Sequence, residues 1–213
     1  MYNVALCDEQ GTFRMADKEL DAKKRRLLIA ATSVAGGVAA GATAVPFVAS
    51  MTPSERAKAA GAPVEADISN LAPGELMRVE WRGKPVWIVR RTKQMLEQVK
   101  ESDSKVADPA SQRNPAYTPP YARNEFRSIK PEYLVVVGIC THLGCSPVDK
   151  FKAEPEPFAA DWKGGFYCPC HGSLFDLAGR VYKNKPAPDN LPVPPHSYLS
   201  ETKILIGEHH RGA

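Results

Sequence analysis

Two short stretches decide how this chain folds and what it holds: CTHLGC at residues 140–145 and CPCHGS at residues 168–173. Each contains two cysteines, one histidine and one glycine, and together they hold four of the five cysteines and two of the five histidines. Thiolate and imidazole groups are typical ligands of transition metals and of iron–sulfur clusters. The two stretches, called box 1 and box 2 below, therefore predict a metal centre.

The number and type of these side chains favour one kind of centre. A tetrahedral zinc site would use four ligands and leave two cysteines over. A plain ferredoxin cluster takes four cysteines and no histidine. A Rieske [2Fe–2S] centre takes two cysteines and two histidines, and the two remaining cysteines can then cross-link the boxes. A structural zinc site and two unrelated disulfides stay open as alternatives.

The boxes resemble the two cluster-binding loops of the Rieske iron–sulfur subunit of the bacterial cytochrome bc complex (ubiquinol:cytochrome c reductase). The resemblance implies four ligands of a [2Fe–2S] cluster, one cysteine and one histidine from each box: Cys140, His142, Cys168 and His171. The cysteines would bind the inner iron and the histidines the outer iron. A disulfide between Cys145 and Cys170 is also implied.

The resemblance assigns roles to residues around the ligands. Ser173 is expected to donate a hydroxyl hydrogen bond to a cluster sulfur, and such bonds raise the reduction potential. Mitochondrial relatives carry a hydrogen-bonding tyrosine two residues further on, where this chain has Phe175, so we expect a lower potential here. Leu143 is expected to shield the cluster and shape a docking surface. A proline-rich loop at 186–188 is expected to pack beside it, with Lys185 where the family usually has glycine.

Four regions are predicted along the 213 residues: a cytoplasmic tail, a transmembrane helix, a flexible tether and a head that carries the cluster, at 1–26, 27–49, 50–63 and 64–213. The second region has 23 residues and no charge, which is enough to cross a hydrocarbon core of roughly 30 Å. The tether is rich in small and polar residues and is expected to be partly helical.

The orientation follows from the residues that precede the apolar stretch. The basic run 23–26 keeps the N-terminus cytoplasmic by the positive-inside rule. Arg25-Arg26 and the two leucines after them resemble a twin-arginine export signal. The implied disulfide needs an oxidising compartment, so we expect a bacterial inner-membrane protein with its head in the periplasm. A signal peptide cleaved near 42–44 is the alternative. Cys7 is predicted to be a free cytoplasmic thiol.

Strand patterns dominate after Val64 and predict an all-β fold, an antiparallel β head with an inserted cluster-binding subdomain. The predicted elements are a hairpin of 76–81 and 85–89, a helix over 92–101, a buried strand over 134–139, and strands at 165–167, 173–177, 181–182 and 203–207. Residues 103–130 are predicted to form a loop that is functional or covers a sheet. Three histidines outside the boxes are predicted to lie at the surface: His196, His209 and His210.

By resemblance, the function is one-electron transfer from ubiquinol to a c-type cytochrome, coupled to proton release, with His171 accepting a hydrogen bond from the quinol. The implied partners are the cytochrome b and c-type cytochrome subunits of the same complex, a dimer, in the membrane. A net charge of +4 is too small to indicate nucleic-acid binding. The alternatives are a Rieske ferredoxin or dioxygenase component, the Rieske subunit of a periplasmic molybdenum oxidase, and a zinc-binding module.

Overall fold

The computed structural model describes residues 22–209, which belong to two units that divide between Ser54 and Glu55. The first unit contains helix α1, Ala22–Ser50. The second contains two helices and nine strands: α2 (Glu55–Ala60), α3 (Lys93–Glu101), β1 (Val64–Asp67), β2 (Leu76–Trp81), β3 (Lys84–Arg90), β4 (Tyr133–Val137), β5 (Val148–Lys150), β6 (Gly165–Cys168), β7 (Ser173–Phe175), β8 (His196–Ser200) and β9 (Lys203–Ile206). The predicted tail, with Cys7, lies mostly outside the described residues.

Helix α1 includes the predicted transmembrane span and extends beyond it. It begins at Ala22, so the basic residues 23–26 belong to its first turns, and it passes through Pro46 before it ends at Ser50. Its 29 residues span about 43 Å at 1.5 Å per residue. Among residues 22–209 it is the one helix that is long and apolar enough to cross a membrane. Helix α2 lies within residues 50–63, which the sequence predicts to form a tether.

Three antiparallel sheets of three strands each make up the second unit, with the orders β1-β9-β8, β2-β3-β4 and β5-β6-β7. This confirms the predicted all-β class. The sheet β5-β6-β7 lies between β4 and β8 in the chain, as an inserted subdomain would. Strands β5 and β8 were not predicted, because β5 is short and largely exposed and β8 follows two prolines.

Strands β3 and β4 are buried on both faces. Val86 and Ile88 belong to one apolar cluster, between these strands and those of the sheet β1-β9-β8. Trp87 and Val89, which point the other way along the same strand, belong to a second cluster that also contains Phe166 of β6. Burial of both faces explains why the sequence that forms β4 is apolar at every position and does not alternate.

Two local predictions are confirmed by backbone and cap geometry. Arg82 and Gly83 have φ of 53° and 68°, the paired left-handed conformation of a two-residue hairpin turn, and Trp81 faces Lys84 across it. Thr92 caps α3, because its hydroxyl accepts a hydrogen bond from the Met95 backbone at 3.2 Å.

The long connection 103–130 contains two short 3₁₀ turns, Pro115–Tyr117 and Pro120–Ala122. It packs against the cluster that contains Trp87, with Ala122 fully buried in that cluster. It also buries Arg127, whose side chain is 0% exposed. The connection therefore covers the core. This is one of the two roles that the sequence predicts for the loop.

The prediction that His196 lies at the surface is wrong, since this residue is 1% exposed. It begins β8, where its backbone N–H donates to the hydroxyl oxygen of Tyr121 at 2.9 Å and its Nδ1 lies 2.9 Å from the Pro194 carbonyl. Burial lowers its pKa. His209 is exposed as predicted and contacts the Tyr121 ring, whereas His210 lies outside the described residues.

Candidate metal centre

Box 1 is a tight loop that follows the buried strand β4. The Cys140 backbone accepts a hydrogen bond from the N–H of Gly144 at 3.1 Å and donates its own N–H to the Cys145 carbonyl at 2.8 Å. Gly144 has a φ of +84°, which side chains disfavour. The loop thereby buries Cys140, at 2% exposure, and presents Leu143 to solvent, at 72%.

Box 2 closes in the same way between β6 and β7. The N–H of Gly172 donates to the Cys168 carbonyl at 3.0 Å, which repeats the bond that Gly144 makes in box 1. Gly172 has a φ of +75°. Cys168 and Ser173 face each other as the register pair that begins this hairpin. Cys168 ends β6 and Cys140 follows β4 by three residues, and each of the two cysteines is 2% exposed.

Cys140 and Cys168 are the two cysteines of residues 22–209 that carry a free thiol. Burial raises the pKa of the Cys140 thiol, and the neighbouring Cys168 thiol adds to this effect, while hydrogen bonds from the His142 backbone and the Ser173 hydroxyl oppose it. Two adjacent buried thiols are inert as free side chains, but they suit a soft metal that binds the thiolate form.

The two box histidines lie beside each other. The ring centroids of His142 and His171 are 4.8 Å apart, with the ring planes at 89°. The Nδ1 atom of His142 is buried and has no hydrogen-bond partner among the described residues. A buried ring nitrogen without a partner lowers the stability of the fold by about 1–3 kcal/mol, unless a bound group accepts its lone pair or its proton.

The predicted disulfide is confirmed: Cys145 and Cys170 are bonded, with their Cα atoms 6.7 Å apart. It joins the two boxes across 25 residues of sequence. The sulfur atoms of this pair also lie within 4.8 Å of the Cys168 sulfur. The three do not form a thiolate site, because the two disulfide sulfurs have no proton to lose and carry no charge.

The residues present fit a Rieske [2Fe–2S] cluster. The two free buried thiols supply two sulfur donors, and the two adjacent imidazoles supply two nitrogen donors. One of these nitrogens, the Nδ1 of His142, has no other partner among the described residues. Two unrelated disulfides are excluded, because Cys145 and Cys170 pair with each other across the boxes. A zinc ion could use the same four donors, so donor chemistry by itself does not separate zinc from the cluster.

The proline-rich loop continues in the structure to Leu191, and residues 186–191 carry this name below; the loop contacts both boxes. The Ala187 N–H donates to the Ser173 hydroxyl oxygen at 3.0 Å, and the Thr141 hydroxyl donates to the Asp189 carbonyl at 2.6 Å. Ser173 is 1% exposed and Phe175 is 0% exposed. The contact made by Thr141 was not predicted, since nothing in the sequence of box 1 says where its hydroxyl points.

Comparisons with known proteins agree with the site. Residues 15–54 match the family model "Ubiquitinol-cytochrome C reductase Fe-S subunit TAT signal", and residues 115–195 match the "Rieske [2Fe-2S] domain". The ubiquinol–cytochrome c reductase iron–sulfur subunit of Allochromatium vinosum is 58% identical over 95% of this chain and 97% of its own length. This chain belongs to the family of Rieske iron–sulfur subunits of ubiquinol–cytochrome c reductase.

The corresponding subunit of Bradyrhizobium diazoefficiens is 41% identical over 86% of this chain and 94% of its own. The mitochondrial Rieske subunit of Zea mays is 45% identical over 76% of this chain and 51% of its own.

Membership in the Rieske family settles what the donor chemistry leaves open. The matched domain spans both boxes, so a [2Fe–2S] cluster is the cofactor of this chain and zinc is not. The chain is therefore a subunit of a cytochrome bc complex. The match to the export-signal model over 15–54 supports the twin-arginine prediction and fits a membrane-anchored bacterial subunit.

Proposed function

We propose that this chain transfers electrons from ubiquinol to a c-type cytochrome, with proton release, as the Rieske subunit of its complex. The observation that carries the proposal is the pairing of two buried thiols with two adjacent imidazoles in loops joined by a disulfide. The names of the relatives, which are ubiquinol–cytochrome c reductase subunits, support this reaction and favour it over a molybdenum oxidase.

In this proposal four residues hold the cluster: Cys140, His142, Cys168 and His171. The bound cluster supplies one-electron chemistry at a potential raised by histidine ligation, up to roughly +300 mV. Cys168 ends β6 and Cys140 follows the buried strand β4 by three residues, so both sulfur atoms are supported by strands. The Cys145–Cys170 disulfide holds the loop tips together, so that the four donors keep their spacing.

His171 is the side chain that meets the substrate in this proposal. It is exposed, whereas its neighbour His142 is half-buried, so the His171 imidazole is the more accessible of the two to a quinol hydroxyl. With one ring nitrogen bound to the cluster, the other would accept that hydrogen bond once it has lost its own proton, which the charge of an oxidised centre favours, and it would then take the quinol proton. Leu143 lies exposed in the adjacent loop and supplies an apolar contact for a hydrophobic substrate or partner.

The arrangement in the membrane is part of the proposal. Helix α1 anchors the chain, the basic residues 23–26 remain on the cytoplasmic side, and the head lies in the periplasm. The regions are those expected from the sequence: tail 1–26, anchor 27–49, tether 50–63 and head 64–213. The disulfide supports the periplasmic side, because such bonds persist in oxidising compartments. The partners would be a cytochrome b and a c-type cytochrome, in a dimeric complex.

The test is to purify the native complex and record the electron paramagnetic resonance spectrum of the reduced protein together with ubiquinol:cytochrome c reductase activity. We expect a Rieske signal and activity, both lost in Cys140→Ser and Cys168→Ser. Replacing His171 with Gln should abolish activity. Cys7→Ser is the matched control, because it removes the one cysteine outside the boxes, and it should change neither readout.

Two results would contradict the proposal. Stoichiometric zinc without a Rieske signal would exclude electron transfer. Co-purification with a molybdopterin subunit in place of a cytochrome b would assign the chain to another complex.

A further inference from the structure

Three arginines are buried around the turn that follows β7, the strand after box 2. Arg91, Arg127 and Arg180 are each at most 2% exposed. Among residues 22–209 the one fully buried carboxylate is that of Asp176. Its oxygens accept the backbone N–H groups of Ala178 and Arg180 and the Nε of Arg180, so they are committed to Arg180 and to the turn beside it.

Arg127 has no carboxylate partner among the described residues, and it uses all five of its donors on neutral oxygens. Their acceptors are the hydroxyls of two residues and the carbonyls of three, at 2.7–3.2 Å: Ser111, Thr118, Ala178, Gly179 and Leu191. Burial lowers the pKa of Arg127 to about 10, and the charge of Asp176 opposes the fall, so the side chain remains a cation at neutral pH.

The carbonyls that Arg127 binds belong to two segments that leave the cluster site. Ala178 and Gly179 form the turn after β7, the strand that begins with Ser173. Leu191 ends the proline-rich loop, and its N–H donates to the Gly179 carbonyl at 2.8 Å. The guanidinium therefore ties the exit of box 2 to the far end of the proline-rich loop.

The near end of the same loop touches the cluster site directly. Ala187 donates to the Ser173 hydroxyl, and Asp189 accepts from Thr141 in box 1. The loop is thus held at the boxes on one side and by Arg127 on the other. A fixed loop keeps the Ser173 hydroxyl oriented, because its oxygen is occupied by Ala187 and its proton is left for a sulfur.

We propose that Arg127 is a positioning residue for the electron-transfer site. It holds the proline-rich loop against Ser173 and so fixes the hydrogen bonding and the water exclusion around the cluster. Burying a cation without a carboxylate costs solvation free energy. No neutral side chain offers five donors in one plane. Without Arg127, the Ala178 and Leu191 carbonyls and the Thr118 hydroxyl would lose the partner that it gives them. The inference rests on the proposed function of Cys140 and Cys168 as cluster ligands.

The test compares Arg127→Lys with Arg91→Lys in the full cluster-loaded chain. Both changes keep the charge and remove donors, but Arg91 binds carbonyls of Phe126, Pro131 and Leu177 and does not touch the proline-rich loop. The readouts are hydrogen exchange of a peptide covering 183–191, the midpoint potential, and the electron paramagnetic resonance line shape of the reduced protein.

We expect Arg127→Lys to accelerate exchange in this peptide by about tenfold, the loss of one or two hydrogen bonds, to lower the midpoint potential and to broaden the spectrum. Arg91→Lys should leave all three readouts at their wild-type values. Because Lys keeps the charge, a change cannot be a charge effect. Wild-type readouts in Arg127→Lys, or equal changes in both variants, would overturn the inference.

A second variant covers the case in which Arg127→Lys does not accumulate. Thr118→Val removes one acceptor of Arg127 with little change of shape, and we expect a smaller acceleration, about fivefold. Unchanged exchange and potential in Thr118→Val would refute the inference. A wild-type chain without a Rieske signal would refute the proposed function, whereas a wild-type signal that Arg127→Lys leaves unmoved refutes the inference alone.

Discussion

The backbone N–H of Ala187 donates a hydrogen bond to the hydroxyl oxygen of Ser173, at 3.0 Å, where the proline-rich loop meets the strand that leaves box 2. Ser173 is buried, so its hydroxyl has two partners within the protein and none in water. Its oxygen accepts from Ala187, and the hydroxyl also bonds to the Cys140 sulfur, where it favours the thiolate. The hydroxyl therefore joins the loop to Cys140, a proposed cluster ligand.

Ser173→Ala should therefore lower both the potential and the stability. Loss of a hydrogen bond that favours the reduced state by about 1 kcal/mol lowers a one-electron potential by about 40 mV. The Ala187 N–H is left buried and unpaired. Protein-film voltammetry and thermal unfolding measure the two effects, with Ser146→Ala as the control, because that exposed hydroxyl makes one long contact at 3.4 Å. A potential equal to that of the control would contradict the role of the hydroxyl.

Phe175→Tyr should raise the potential, because the new hydroxyl offers the second hydrogen bond that this chain lacks. The expected rise is again about 40 mV for one bond of about 1 kcal/mol. Phe151→Tyr is a matched control, since Phe151 packs edge-on against Phe166 in the same subdomain. If voltammetry shows the same potential for both variants and the wild type, Phe175 does not set the potential.

Replacing Cys145 and Cys170 together with serine should destabilise the head and release its iron. The disulfide closes a loop of 25 residues, and chain entropy predicts a loss of about 3.5 kcal/mol. The loop tips would then move independently. Urea unfolding and iron content measure the outcome, with Cys7→Ser as the control. Wild-type stability with full iron content would show that the loops hold the cluster without the disulfide.

Gly138→Ala should destabilise the head for a purely steric reason. A Cβ at this position would lie 2.1 Å from Cε2 of Trp87, whose ring is 2% exposed and stacked on Phe166. Overpacking of this kind costs about 1–3 kcal/mol or more. The double variant Gly138→Ala with Trp87→Leu tests the cause, because removing the ring should make the alanine less costly than it is alone. Additive losses in denaturant unfolding would place the cause elsewhere.

Acid should destabilise the head through His196. Burial lowers the folded-state pKa of this residue below the unfolded value of about 6.5, so the unfolded chain binds the extra proton more readily. The contribution to stability is complete above pH 6.5 and declines as the pH falls towards the folded pKa. The charge of exposed His209, which contacts the same Tyr121 ring, also lowers the pKa of His196. Unfolding free energies of the wild type and His196→Gln should therefore converge between pH 7 and pH 5, and parallel curves would exclude His196 as the cause.

Much of the fold could be predicted because its signals are local. The hairpin turn is marked by Gly83 between two strand-forming runs, and the cap at Thr92 depends on a residue three positions away. The continuous apolar run at 134–139 predicts a strand that is buried on both faces. The burial of His196 could not be predicted, because it depends on Tyr121, which is 75 residues away in the sequence.

By itself, the sequence determined the cofactor class of this protein and its anchor. Ligand identity and the spacing within each box are local properties, and so are the length and charge of an apolar helix. Only the tertiary structure decided that the His142 and His171 rings lie side by side, that His196 is buried against Tyr121, and that Arg127 binds the Leu191 carbonyl. The reason is physical: these relationships join segments that are distant in the chain, and which oxygen a guanidinium or hydroxyl binds depends on the packing of all of them together.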